Sequence, residues 1–141
     1  MVIDEEKKGE IQRILSALVS PVKLLFFTQE NACPACKQQQ ELLEELATLS
    51  EKLELKVYDF VLHGDEVTNY QIDKIPATVV VTDKDHHVRF YGVTAGYEFT
   101  SLLEAILMVS AGSSGLDPEL EALIREIKNP VHIQVLVTLT C

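Results

Sequence analysis

Apolar residues recur along the chain at two spacings, and each spacing predicts one kind of element. Residues 4–19 have the helical spacing and predict an amphipathic helix ahead of the rest of the fold. Residues 22–28 form an apolar run without alternation, which is typical of a strand covered on both faces. The helical set consists of Ile11, Ile14, Leu15 and Leu18.

The following segments continue this alternation of helix and strand. Residues 37–49 predict a helix with an apolar stripe, and residues 53–62 predict a second strand. The three glutamines at 38–40 are expected on the solvated face of that helix. Together the segments predict an α/β fold. The remaining predicted elements are a helix at 66–71 capped by Asp65, strands at 79–81 and 88–91, and a helix at 99–109 that begins with Phe99.

The segment after residue 110 predicts a change of domain. Ala-Gly-Ser-Ser-Gly at 111–115 has the composition of a linker, so residues 1–112 are expected to form one unit. Asp117-Pro118 predicts the start of a connecting helix within residues 113–130, with Leu120, Leu123, Ile124 and Ile127 buried. Residues 131–141 predict the first strand of a second unit, cut off at Cys141.

Composition narrows the classes of function. The chain has 141 residues, 47% of them hydrophobic, a formal net charge of −10 and a pI near 4.8. That charge argues against binding to nucleic acid or to an anionic membrane surface. We found no apolar run long enough for a membrane span and no signal-peptide core, so a cytoplasmic location is expected.

Cys33-Pro34-Ala35-Cys36 is the segment that carries chemistry. It lies between the first apolar strand and the helix after it, where two cysteines three residues apart share one helix face and can form a disulfide. Cys33 at the helix N-terminus would have its pKa lowered by unpaired N–H groups and the helix dipole. We therefore expect Cys33 to be the nucleophile and Cys36 the resolving cysteine.

Two other interpretations of the cysteine pair are weaker. A zinc site needs two more ligands at comparable spacing, and the four histidines are scattered, so we expect no metal. His86 and His87, beside the predicted hairpin turn, are expected to be solvated. A structural disulfide over so short a loop would constrain the unfolded chain very little.

Cys33-Pro34-Ala35-Cys36 followed by Ile75-Pro76 resembles the two signature positions of the thioredoxin fold. The resemblance implies a central mixed sheet flanked by helices, here with an extra N-terminal helix. It also implies that Pro76 is a cis proline beside the disulfide, and that Ile75, Pro34 and Ala35 contact substrate. A substrate segment would pair with the neighbouring backbone by strand addition. No cofactor besides the Cys33–Cys36 disulfide is implied.

A closer resemblance rests on the leading helix, the segment from Tyr91 to Phe99 and the repeat that begins near residue 135. These features are similar to the two-unit, glutaredoxin-like protein disulfide oxidoreductases. They also resemble the N-terminal redox module of the alkyl hydroperoxide reductase flavoprotein subunit, whose first unit typically lacks cysteines. The presence of Cys33 and Cys36 favours the disulfide oxidoreductase.

The sequence departs from the thioredoxin pattern at one position. Many thioredoxins carry a buried carboxylate six residues before the first cysteine, and this chain has Phe27 there. Glu30 and Asp59 are weak candidates for the group that accepts a proton from Cys36, and water is the default. If Cys141 begins a second cysteine pair, its partner is absent from this sequence.

The predicted function is a thiol–disulfide oxidoreductase that acts on protein disulfides or dithiols through Cys33 and Cys36. One alternative is a scaffold unit of low activity within a two-unit redox protein. Another is a relay unit coupled to a flavoprotein reductase or a peroxiredoxin. Without a second unit, residues 131–140 are expected to be disordered, or to pair through an exposed apolar strand edge with the first unit or with another copy of the chain.

Overall fold

The computed structural model describes residues 2–138, and nine helices and strands follow one another within that range. One helix precedes the first strand, so the extra N-terminal helix is present as predicted. Two helices lie between the strands, and two follow the last strand. In chain order the elements are α1 (Glu5–Leu15), β1 (Val22–Thr28), α2 (Pro34–Ala47), β2 (Leu53–Asp59), α3 (Gly64–Asn69), β3 (Ala77–Val81), β4 (Asp85–Tyr91), α4 (Tyr97–Ala111) and α5 (Pro118–Arg125).

The four strands form one mixed sheet in the order β2-β1-β3-β4. β1 is parallel to β2 and antiparallel to β3, and β3 is antiparallel to β4. The two central strands are therefore β1 and β3, and both consist almost entirely of buried residues. The prediction of a central mixed sheet flanked by helices is confirmed.

Side chains alternate along β1 and β3 and contribute to two separate cores, because successive residues of a strand point to opposite faces. Leu24, Phe26 and Val80 belong to the core that α1, α2 and α4 cover. Leu25 and Val79 belong to the core on the other face, which includes tyrosines from β2 and from the segment after α3. Burial on both faces explains why the sequence of β1 shows no alternation.

The N-terminal segment is attached to α2 by a carboxylate. The backbone N–H groups of Val2 and Ile3 donate to the Glu45 side chain, the latter over 2.9 Å. These bonds lower the pKa of Glu45. At the start of α1, the Asp4 carboxylate accepts the N–H of Lys7, as an N-cap residue does. The segment before α1 is thus fixed to α2 by hydrogen bonds, and α1 itself packs on the core through its apolar face.

Two predicted details of α2 and α3 are wrong. Asp65 does not cap α3 but lies in its first turn, because α3 begins at Gly64 and His63 is its N-cap residue. The second error concerns the glutamines at 38–40, because Gln39 is completely buried. Its burial is possible because its side chain hydrogen-bonds to two buried threonines, Thr78 and Thr94.

Residues 113–138 lie almost entirely exposed to solvent. α5 begins at Pro118 after Asp117, as predicted, but its apolar residues are not buried, because no other described element covers them. Residues 131–138 form no strand and pair with neither edge of the sheet. Leu139 to Cys141 lie outside the described residues. The exposed apolar residues of α5 and the turn after it are Leu120, Leu123, Ile124 and Ile127.

Candidate active site

The two cysteines lie where β1 passes into α2. β1 ends at Thr28, and the loop after it leads through Ala32, whose φ of 60° is in the left-handed region, to Cys33. Cys33 is the N-cap of α2, and Pro34 occupies the first helical position, where its missing N–H costs no hydrogen bond. The local sequence therefore places the first sulfur at the positive end of a helix of 14 residues.

Cys33 and Cys36 form a disulfide, with their Cα atoms 5.2 Å apart. The backbone N–H of Cys36 donates to the Cys33 sulfur over 3.2 Å. A donor in this position stabilises negative charge on that sulfur once the disulfide is reduced. The geometry is that of a redox-active pair whose first member can carry the thiolate.

The two sulfurs differ in access. Cys33 is half-buried, whereas Cys36 is 1% exposed. Cys33 borders a groove of about 320 Å³ that runs along the start of α2 and includes Glu30 and Lys37. A sulfur atom of another molecule can therefore reach Cys33 from solvent, whereas Cys36 is shielded from it.

The Ile75–Pro76 peptide bond is cis. Ala77, the next residue, pairs with Phe27 of β1, so Pro76 lies beside the end of β1 from which the cysteine loop leaves. Pro76 is buried and Ile75 is half-buried. The sheet register thus places the cis proline and the cysteine pair at the same end of the sheet, where β1 ends and β3 begins.

The backbone next to the cis proline has a free hydrogen-bonding edge. The Pro76 carbonyl accepts the N–H of Gly92 over 2.9 Å. Neither the N–H nor the C=O of Ile75 makes a hydrogen bond with any residue in 2–138. These two groups are available to an extended segment of another chain.

The position of the thioredoxin carboxylate is filled by an aromatic ring. Phe27 is fully buried and stacks on Tyr58, with ring centroids 5.3 Å apart. Of the two candidate proton acceptors, Glu30 lines the groove beside Cys33. Asp59 is held in a turn, where hydrogen bonds from the N–H groups of Leu62 and Val61 lower the pKa of its carboxyl. Asp59 is thus a poor base at neutral pH.

Gln39 is the residue near the site that the sequence analysis missed. Its side-chain nitrogen donates to the hydroxyls of Thr78 and Thr94, and its oxygen accepts the backbone N–H of Thr94 over 2.8 Å. The available signal was its position, three residues after Cys36 and four before Leu43 on one helix face. The polarity of a glutamine triplet concealed that signal.

The described residues contain no group of three or more His, Cys, Asp or Glu side chains placed to hold a metal ion. His87 has a side chain 79% exposed, and His86 contacts the hydroxyl of Thr82. Among residues 2–138, no helix has the length and apolar character needed to cross a bilayer.

No family model matches the chain, but individual proteins and solved structures do. It is 27% identical over 140 residues to the alkyl hydroperoxide reductase protein AhpF of Escherichia coli (strain K12), covering 99% of this chain and 25% of that protein. A protein disulfide oxidoreductase from Aeropyrum pernix K1 matches it with a TM-score of 0.88 at 26% identity, over 98% of this chain and 61% of that one.

A third similarity bears on the fold. The NTD_N/C domain of alkylhydroperoxide reductase AhpF from Enterococcus faecalis (V583) matches with a TM-score of 0.79 at 24% identity, over 86% of this chain and 59% of that one. The chain spans about a quarter of the length of the curated relatives it matches. The resemblance inferred from the sequence is confirmed. The predicted class of enzyme, a thiol–disulfide oxidoreductase, is supported by these relatives together with the Cys33–Cys36 disulfide. The chain thus has a thioredoxin-like fold and is similar in sequence to a protein disulfide oxidoreductase and to alkyl hydroperoxide reductase AhpF proteins.

Proposed function

We propose that the chain exchanges disulfides with protein substrates through Cys33 and Cys36. The observation that carries this proposal is the unequal access of two bonded sulfurs at a helix N-terminus, Cys33 half-buried and Cys36 1% exposed. An accessible sulfur can attack a partner, and a shielded one beside it can release that partner.

The reaction is a pair of thiol–disulfide exchanges. In the reduced protein, the Cys33 thiolate attacks one sulfur of a substrate disulfide, and the other substrate sulfur leaves as a thiolate. The Cys36 thiol then loses its proton and attacks the Cys33 sulfur, which releases the second substrate thiolate and forms the Cys33–Cys36 disulfide. Two electrons pass to the substrate, and the reverse sequence oxidises a substrate dithiol.

The substrate would lie against the edge formed by Ile75 and Pro76. The free N–H and C=O of Ile75 offer two backbone hydrogen bonds to an extended segment, as in strand addition. Pro34 and Ala35 form the exposed and half-buried surface between the cysteines and would contact the residues next to the substrate sulfur. Pro76 would keep this edge open and shield the sulfurs from metal ions.

Insulin reduction by dithiothreitol tests the proposal. We expect the wild-type protein to accelerate the reaction, and Cys33→Ser to remove the acceleration because no thiolate remains to attack the substrate. Cys36→Ser, reduced and then mixed with insulin after removal of dithiothreitol, should instead accumulate a mixed disulfide with substrate, detectable by mass spectrometry. Full activity in Cys33→Ser would contradict the assignment of the nucleophile.

The reduction potential provides a second measurement. We expect a value of roughly −200 to −270 mV, the range from glutaredoxins to thioredoxin. Equilibration with glutathione, followed by alkylation of free thiols, would measure it. Cys141 must be replaced by Ser in every protein compared, so that the count of thiols reports only on Cys33 and Cys36.

A second candidate function is a relay unit, favoured by the similarity to alkyl hydroperoxide reductase AhpF. In that case the preferred partners are a flavoprotein reductase or a peroxiredoxin. The chain would act in the cytoplasm, and its disulfide would be its redox group. Stopped-flow measurement of electron transfer from a reduced flavoenzyme to Cys33–Cys36 would test it. A transfer rate far above that of insulin reduction would favour the relay.

A further inference from the structure

A buried polar network connects three separate segments close to the cysteines. Gln39 is 0% exposed, and so are its two partners, Thr78 and Thr94. The Gln39 Nε2 donates to Thr78 Oγ1 over 3.2 Å and to Thr94 Oγ1 over 2.9 Å, while its Oε1 accepts the Thr94 N–H. A backbone N–H can only donate, so the oxygen end of the amide must face Thr94.

Each partner of Gln39 belongs to a segment that borders the proposed substrate edge. Thr78 lies on β3, two residues after the cis Pro76. Thr94 lies in the loop between β4 and α4, and Gly92 in the same loop donates its N–H to the Pro76 carbonyl. Gln39 itself lies one helical turn beyond Cys36. One amide thus connects the cysteine helix to both neighbouring segments.

An amide at this position is costly unless it is fully hydrogen-bonded, since it replaces apolar packing in a core. Its neighbours on the buried face of α2 are leucines, including Leu43 and Leu46. Within residues 2–138 no buried side-chain polar atom lacks a partner, so the network is complete. A leucine would fill the space but would not fix the direction of the Thr94 loop, whose buried N–H would lose its acceptor.

We propose that Gln39 is a positioning residue for protein substrates. It fixes the Thr94 loop and the strand after Pro76 at a set distance from the cysteine helix, so that an extended substrate segment on Ile75 presents its sulfur to Cys33. This inference rests on the proposed function. It acts through substrate docking, because the amide is neutral and belongs to none of the bond-forming steps.

Two disulfide substrates of different size can distinguish an effect on substrate docking from an effect on disulfide exchange at Cys33. Insulin requires the extended edge, whereas hydroxyethyl disulfide is too small to span it. We expect Gln39→Leu to raise the KM for insulin about tenfold, the effect expected when the displaced edge at Ile75 loses one hydrogen bond to the substrate. The kcat for insulin and the rate with hydroxyethyl disulfide should each stay within about threefold of wild type. Gln38→Leu, at the exposed neighbouring position, is the matched control and should leave both rates unchanged.

A second pair of variants covers the case in which Gln39→Leu does not fold. Thr94→Val removes the hydroxyl but keeps the N–H bond to Gln39, and Thr94→Ser keeps both. We expect Thr94→Val to raise the KM for insulin and Thr94→Ser to restore it. The inference would be overturned if Gln39→Leu lowered the rates with insulin and with hydroxyethyl disulfide equally. It would also be overturned if the KM for insulin were unchanged in both Gln39→Leu and Thr94→Val. Wild-type inactivity toward both substrates would overturn the proposed function, and this inference with it.

Discussion

Residues 2–112 and residues 113–138 contain similar sequence patterns but reach different degrees of burial. In the first region, Leu46 and Ile106 are both 0% exposed. In the second, Leu123 is 61% exposed and Ile133 is 81% exposed. Apolar residues at helical or alternating spacing show which face an element can bury, and a second element must be present before that face is buried.

The largest effect that tests this comparison is a matched pair of leucine substitutions. Leu46→Ala should lower the free energy of unfolding by about 2–5 kcal/mol, because it leaves a cavity in the core under α2. Leu123→Ala, on the exposed helix α5, should change it by less than about 0.5 kcal/mol. Urea denaturation followed by circular dichroism would measure both. Equal losses would show that α5 is packed in solution.

The parts of the fold that were predictable are those fixed by neighbours in sequence. The observed bounds of β1, Val22–Thr28, coincide with its apolar run, and α5 begins at Pro118 because Asp117-Pro118 specifies a helix start without any packing. The strand expected over 131–140 is absent from its described part, since a strand also needs the N–H and C=O groups of a neighbour. Sequence spacing carries no information on whether that neighbour is present.

The same limit applies to the site. Cys33 and Cys36 could be identified from their spacing, because the disulfide is local. For Gln39 the sequence offered only its position on the buried helix face, since its hydrogen-bond partners Thr78 and Thr94 are 39 and 55 residues away in sequence. A polar side chain is placed on the surface by default, and only its distant partners overturn that expectation.

One ion pair in residues 2–112 and one in residues 113–138 allow a second comparison, of how much each pair contributes to the free energy of unfolding. In β4, Arg89 donates two hydrogen bonds to the Asp85 carboxylate, of 2.8 and 2.6 Å, and both side chains are mostly buried. The Arg89 guanidinium lowers the pKa of Asp85 from 3.8 to about 2. Because the folded state has the lower pKa, this stability is present above pH 4 and lost as the pH falls toward 2.

Asp85→Asn should therefore cost about 2 kcal/mol of unfolding free energy at pH 7 and almost nothing at pH 2. In α5, Glu121 and Arg125 form an exposed pair 3.0 Å apart, so Glu121→Gln should have no measurable effect at either pH. Urea denaturation at a series of pH values would measure both variants. An Asp85→Asn loss that stays constant from pH 7 to pH 2 would exclude this ion pair as its cause.

The smallest expected effect concerns the exposed segment 131–138, where Ile133 is 81% and Leu136 is 94% exposed. Exposed apolar residues of an unpaired segment promote association between copies of a chain. We expect weak self-association in sedimentation velocity experiments, and a dissociation constant at least about tenfold higher in Ile133→Lys/Leu136→Lys, which is about 1.4 kcal/mol. The unfolding free energy of the double variant should match wild type, because neither side chain packs on the sheet. A wild-type protein that stays monomeric at millimolar concentration would show that exposure of this segment does not lead to self-association.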